Sequence, residues 1–236
     1  MELDGCRALV VGATGVIGGA LAQALLGRGA AVALAGRDRT ALDAVASRCG
    51  DAPAATFDAY DLAAVARLPG WAADRLGGLD LVVCAIGTVA FGEACRTTDA
   101  VAEHLVTVNA LAPAALARGA LPLLEAGGTF AAITGVVAEH PQPLMADYSA
   151  SKAALAAWLR AVRREQRGRR VRVLDICLPH LDTGFADRAV HGTPPSLPPG
   201  ADFDQAVARI VAALANGAES VRPGADGTLV AEGHAR

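Results

Sequence analysis

Apolar positions along this chain fall into two kinds of run, and the two kinds alternate. "RALVVG", "AVALAG", "APAATFDA", "LDLVVCAIG", "GTFAAITG", "VRVLDICLP" and "GTLVAEG" are short stretches of Val, Ile, Leu and Ala with little polar alternation. A strand apolar at consecutive positions is covered on both faces, which predicts a parallel sheet. Between these runs, "GGALAQALLGRG", "RTALDAVASRC", "LAAVARLPGWA", "DAVAEHLVTVNALAPAALARGALPLLEA", "DYSASKAALAAWLRAVRREQ" and "FDQAVARIVAALANG" repeat apolar residues at helical spacing. The alternation predicts an α/β fold: a doubly wound parallel sheet of about seven strands with helices on both faces. No internal repeat interrupts it. The irregular stretch "HGTPPSLPPGAD", 191–202, is rich in proline and glycine, and we read it as a lid over a site.

Composition narrows the picture. A chain of 236 residues fits one domain, 1–236. Its net charge of -3 argues against a nucleic-acid surface, and the basic run Arg160, Arg163, Arg164, Arg167, Arg169, Arg170 and Arg172 reads as a solvated helix end. Cys6, Cys49, Cys84, Cys95 and Cys177 form no CxxC pair and no metal-binding spacing, so reduced thiols in a cytoplasmic protein are expected, with no metal site. Glu2 and Asp4 stand where a signal peptide would be basic, and no apolar run approaches the roughly 18 residues of a membrane span. A soluble protein with no membrane partner is expected.

Chemistry enters at "GATGVIGGA", which follows the first strand and opens a helix. Gly12, Gly15 and Gly18 allow a tight turn and close approach of backbone N–H groups to a pyrophosphate, with the helix N-terminus behind it. The candidate dinucleotide cradle is therefore Gly12, Thr14, Gly15, Val16, Ile17 and Gly18. After the second strand, Arg37 offers a cationic fork suited to a ribose 2′-phosphate, where an NAD-selective site would carry a carboxylate. That favours NADP(H). Asp58, after the third strand, can cap the next helix or accept from an adenine amino group.

Tyr148 and Lys152 stand four apart in "DYSASKAAL", on one helix face. Lys152 is the only lysine, the other 20 of 21 basic positions being Arg, so a compact ammonium was kept here against the habit of the chain. A fixed positive charge near a phenol favours its ionised form and fits it for proton exchange with a carbonyl oxygen.

With these residues in hand, the chain resembles a short-chain dehydrogenase/reductase over nearly its whole length. The residues that carry the resemblance are "GATGVIG", "VNALAP" around Asn109, "YSASK" and "LPHLDTG". It implies that Tyr148 is the general acid/base, that Lys152 lowers its pKa and bonds the nicotinamide ribose, and that Asn109 supports a proton relay. It also implies that Ala85 and Gly87 line the cofactor, with Pro179 to Thr183 beside the nicotinamide, and that the protein is a homodimer or homotetramer.

The chain departs from the family pattern at its usual catalytic serine, about thirteen positions before the tyrosine, where Gly135 stands. Thr134, one position away, is the candidate replacement, with His140 and His180 as further candidates. Cys84 and Ala85 replace polar residues after the fourth strand, and His180 a glycine. Apolar Val136, Val137, Leu144, Met145, Leu181 and Phe185 are expected either to wall a small or medium, partly apolar substrate or to belong to the core. The expected function is hydride transfer between NADP(H) and a carbonyl or alcohol. The alternatives are a catalytically reduced NADP(H)-binding regulator or scaffold, and a redox-neutral epimerase or dehydratase.

Overall fold

The computed structural model describes residues 1–233. Strands β1 (Arg7–Val11), β2 (Ala31–Gly36), β3 (Ala54–Thr56), β4 (Leu81–Cys84), β5 (Thr129–Ile133), β6 (Arg172–Ile176), β7 (Ser220–Pro223) and β8 (Leu229–Glu232) form one sheet in the order β3-β2-β1-β4-β5-β6-β7-β8. All neighbours are parallel except the β7–β8 hairpin. The sheet thus has one strand more than expected. β7, "SVRP", offers only Val221 as an apolar inner residue, too little for an apolar run.

The helices are α1 (Val16–Leu26), α2 (Arg39–Arg48), α3 (Leu62–Leu76), α4 (Asp99–Val106), α5 (Ala112–Ala120), α6 (Ala146–Gln166) and α7 (Phe203–Asn216). Alternate strand residues face opposite layers. Val10, Leu34, Leu81 and Leu174 meet Leu21 and Leu25 of α1, Leu42 of α2 and Ile210 of α7. Leu9, Val82, Phe130 and Val173 meet Val65 of α3, Leu116 of α5 and Leu155 and Leu159 of α6. Both faces are therefore covered, as the unbroken apolar strands require.

The long helical pattern from Asp99 does not run straight through. Proline has no N–H, so Pro113 cannot give Asn109 O its α-helical bond. Over Thr107–Leu111 the helix widens to a π turn, with Ala112 N donating to Thr107 O. Taken together, Asp99–Ala120 is long and apolar enough to cross a membrane, contrary to the expectation from the sequence, although over half of its apolar window is buried within the fold.

The basic run is also more than a solvated end. Arg169 donates to Leu121 O and Leu124 O just beyond α5, and Arg172 to Leu214 O in the last turn of α7. Arg163 donates to Val173 O and Glu219 O. The guanidinium groups of Arg169 and Arg172 satisfy carbonyls left open near helix ends, and that of Arg163 ties α6 to β6 and to the segment before β7.

Candidate active site

The strand order reverses between β1 and β4, and the helices that follow them, α1 and the α4–α5 helix through its α5 half, lie on opposite faces. Ligands of open α/β sheets bind beyond the carboxyl ends of the strands at such a point. There the glycine loop abuts the turn after β4: a Cβ on Gly12, whose φ is 89°, would lie 2.5 Å from Ala85 O. A Cβ on Gly18 would overlap the Gly12 carbonyl, so this glycine lets α1 pack on the loop. Gly15 is the N-cap of α1 and makes no side-chain cap bond, leaving the first-turn N–H groups around Val16 and Ile17 available. The methyl of Thr14 lies 2.8 Å from where a Gly36 Cβ would stand, which ties the loop to the end of β2.

Arg37 follows Gly36, exposed and with no hydrogen-bond or ion partner among the described residues. Its neighbours are engaged: Asp38 caps α2 by accepting from Ala41 N at 2.7 Å, and Arg39 pairs with Asp43 at 3.0 Å. Asp58 does not cap α3. It accepts from Tyr60 N at 2.9 Å, while Asp61 provides the cap at 2.8 Å from Ala64 N. A close-packed glycine cradle, an open helix N-terminus and an unpaired arginine at the end of β2 together fit a phosphorylated dinucleotide.

On the other side of the crevice, α6 presents Tyr148 and Lys152, both buried. Lys152 Nζ donates to Ile133 O at 3.2 Å and stands 3.3 Å from where a Gly87 Cβ would be, so it bridges the ends of β4 and β5. Asn109, on the π turn, accepts from Thr88 N at 2.8 Å and donates to Thr88 O at 2.9 Å and to Ser151 Oγ at 3.0 Å. Ser151 in turn donates to Tyr148 O at 2.7 Å. The π turn, the segment after β4 and the tyrosine-bearing turn of α6 are therefore locked together. Ser151 escaped the sequence reading because a small polar helix residue carries no signal until its partner is known.

Burial dominates the electrostatics. It pushes the Tyr148 phenol well above its ordinary range, with no offsetting contribution from Lys152, and draws Lys152 down to about 8 against the pull of Cys84 and Asp175. Lys152 does not figure among the causes of the Tyr148 shift, although the two stand one helical turn apart. A phenol held protonated is the form needed to hand a proton to an oxygen. Buried Cys84 is likewise pushed up to about 11 and stays a thiol.

Gly135 is buried and extended, φ 168° and ψ 158°. Thr134 does not take over the serine's place. Its hydroxyl donates to Asp175 Oδ1 at 2.5 Å, because successive strand residues point to opposite faces. The ring of His180 is bonded to Asp182 at 2.9 Å, and His140 is exposed. Of the expected wall residues, Val137, Met145 and Phe185 gather around Tyr148 with Val89, Phe91 and Leu105. Leu181 belongs instead to the core cluster shared by α1 and α7, and Leu144 is exposed at φ 65°.

Pro179 and Thr183 follow β6, each half-buried, with Thr183 N donating to Leu181 O at 2.8 Å. The irregular segment begins earlier than expected. Leu181 pairs with Ala201 at its base, while Val190 N donates to Val89 O and Phe91 N to His191 O, both at 2.9 Å, where it meets the wall of the cleft.

A glycine cradle at the switch point and a buried Tyr-Lys pair opposite define a nucleotide-dependent α/β oxidoreductase. Residues 7–193 match the short chain dehydrogenase family, and the chain belongs to it. It is 33% identical over 200 residues to the hydroxysteroid 11-beta-dehydrogenase 1-like protein of Macaca fascicularis, covering 81% of this chain and 69% of that one. It is 32% identical over 182 residues to galactitol 2-dehydrogenase (L-tagatose-forming) of Cereibacter sphaeroides, covering 73% and 70%. Among solved structures, a short chain dehydrogenase from Burkholderia cenocepacia J2315 in complex with NADP superposes with a TM-score of 0.80 at 26% identity, covering 91% of this chain and 92% of that one.

Proposed function

We propose that the protein is an NADP(H)-dependent reductase or dehydrogenase acting on a small or medium, partly apolar carbonyl or alcohol. The observation that carries this reading is the placement of Lys152 Nζ between the ends of β4 and β5, one helical turn from the buried hydroxyl-bearing Tyr148. Gly12, Thr14, Gly15, Val16, Ile17, Gly18, Ala85 and Gly87 would hold the dinucleotide, with Arg37 on the 2′-phosphate, Asp58 at the adenine, and Pro179 and Thr183 by the nicotinamide. The nicotinamide supplies or accepts the hydride. Tyr148 exchanges the proton with the substrate oxygen, Lys152 holds the ribose, and Asn109 orders the helix behind the tyrosine. The apolar surround of Val89, Phe91, Met145 and Phe185 supports an apolar substrate flank.

Two further properties belong to the same reading. Exposed Val106 and Leu111 on the α4–α5 helix support a homodimer or homotetramer built there. Five unpaired cysteines, four of them buried, support a reducing, cytoplasmic setting.

NADPH consumption over a ketone panel, with cofactor binding measured first, tests the function. Turnover that Tyr148→Phe reduces by about 10³-fold, with NADPH affinity kept, is expected. An undiminished variant would remove Tyr148 from the chemistry. Gly135 in place of a hydroxyl favours a second reading, a cofactor-binding regulator or a redox-neutral enzyme, and tight NADPH binding without any ketone turnover would select it.

A further inference from the structure

The backbone N–H of Gly135, at the crevice, is without a partner among the described residues. Thr134 N donates to Ile176 O and Val136 N to Leu178 O, both at 2.9 Å and both towards β6. Gly135 lies between them in extended backbone, so its N–H points the opposite way, towards β4. There it has no partner among the described residues, although Gly135 is buried. A backbone N–H that faces a crevice without a protein partner is free to donate to a ligand atom. Ile133 O, two residues earlier on the same edge of the strand, is the atom that receives Lys152 Nζ. The free N–H therefore opens on the space into which Lys152 reaches.

The backbone on both sides of Gly135 is anchored. Thr134 is held by Asp175, whose other carboxylate oxygen lies 3.6 Å from Arg222 Nη2. Arg222 also grips Glu139, at the far end of the turn that Gly135 begins. Ala138 N donates to Gly135 O at 2.9 Å and closes that turn. A donor fixed in this way needs no rearrangement when charge develops on a nearby oxygen, which is what makes backbone amides effective in oxyanion sites.

We propose that the Gly135 N–H donates a hydrogen bond to the reacting oxygen of the substrate, in the place where the family's usual serine would offer its hydroxyl. This rests on the reductase reading above. The amide does not exchange its proton; that remains with Tyr148.

The test is an amide-to-ester replacement at Gly135, which exchanges the N–H for an oxygen and leaves every side chain in place. With NADPH and the best ketone of the panel, kcat is expected to fall by about 10²–10³-fold. The melting temperature and NADPH affinity should stay near those of the parent, because the fold does not use this N–H. An unchanged kcat overturns the proposal, and a fallen melting temperature does so by showing that the N–H serves the fold. Gly135→Ser, for which the backbone has room, 3.5 Å from a new Cβ to Leu178 O, should raise kcat by less than about tenfold. A gain of about 10²-fold or more would mean that the parent lacks a donor, and overturns it. In glycine-labelled protein saturated with NADP⁺, the Gly135 amide proton should shift downfield when the ketone is added, and an unmoved resonance also counts against it. A parent that binds NADPH but turns over no ketone overturns the reductase reading and this proposal together, which sets that failure apart from the others.

Discussion

The two walls of the crevice are built by different means. On the cofactor side, glycines let backbone approach backbone, with Gly12 against Ala85 and Gly18 against Gly12, and the polar work falls to N–H groups and one free arginine. On the substrate side, a chain of charges reaches from Asp175 through Arg222 to Glu139 and holds a turn whose first residue has no side chain. The first wall depends on what is missing from the sequence near the loop. The second depends on residues from β6, β7 and the segment after β5, which only the sheet brings together. Damage to the first should therefore appear in cofactor binding, and damage to the second in turnover.

The strongest way to break this contrast is Gly18→Ala. Its Cβ meets backbone that cannot yield, so NADPH affinity should drop by about 100-fold and stability by about 2–3 kcal/mol, read by titration and thermal melting. Arg222→Leu should act on the other wall. It strips the nearby cation from a carboxylate whose side chain is only 2% exposed, so a loss of about 2 kcal/mol and a roughly tenfold lower kcat are expected, with NADPH affinity preserved. Equal losses in kcat and affinity would mean that the walls are not separable.

Arg37→Ala should weaken NADPH by about tenfold and leave NADH unchanged, since removing a charged hydrogen bond at an exposed site costs about 1.5 kcal/mol and NADH offers no 2′-phosphate. A pH profile sharpens the substrate side. As Lys152 loses its proton near pH 8, kcat/KM for reduction should fall about tenfold per unit above that value. Stability has the opposite sense. The folded value lies below the ordinary 10.5, so the unfolded chain binds this proton more tightly, and the penalty of burying Lys152 fades as pH rises from about 8 towards 10.5. Least in size, Leu144→Gly should gain about 1 kcal/mol by relieving a left-handed backbone at an exposed site.

The elements of the cofactor wall were legible because they are local. A strand, a turn and a helix start lie within one short stretch, and the glycine spacing is itself the geometry. The Tyr148–Lys152 spacing was legible for the same reason, one helical turn. Thr134 was misplaced as a stand-in for serine, because the strand parity that sends it to Asp175 can be counted, but the absence of a compensating shift at the strand end cannot. Asp175 did leave a mark as the one acidic residue inside the apolar run "VRVLDICLP", yet nothing nearby in sequence names Arg222 as its neighbour. β7 was missed along with it, its pairing with β6 being long-range.

The sequence by itself determined the alternation of strands and helices, the glycine loop and the helical face carrying Tyr148 and Lys152, since each follows from periodicity or close spacing along the chain. Only the tertiary structure decided that Arg222 clamps the turn after β5, that Lys152 rests on Ile133 O, and that Gly135 keeps a free N–H at the crevice. Those depend on which strands become neighbours and which way each edge group points, and both are settled by packing over long separations in the chain.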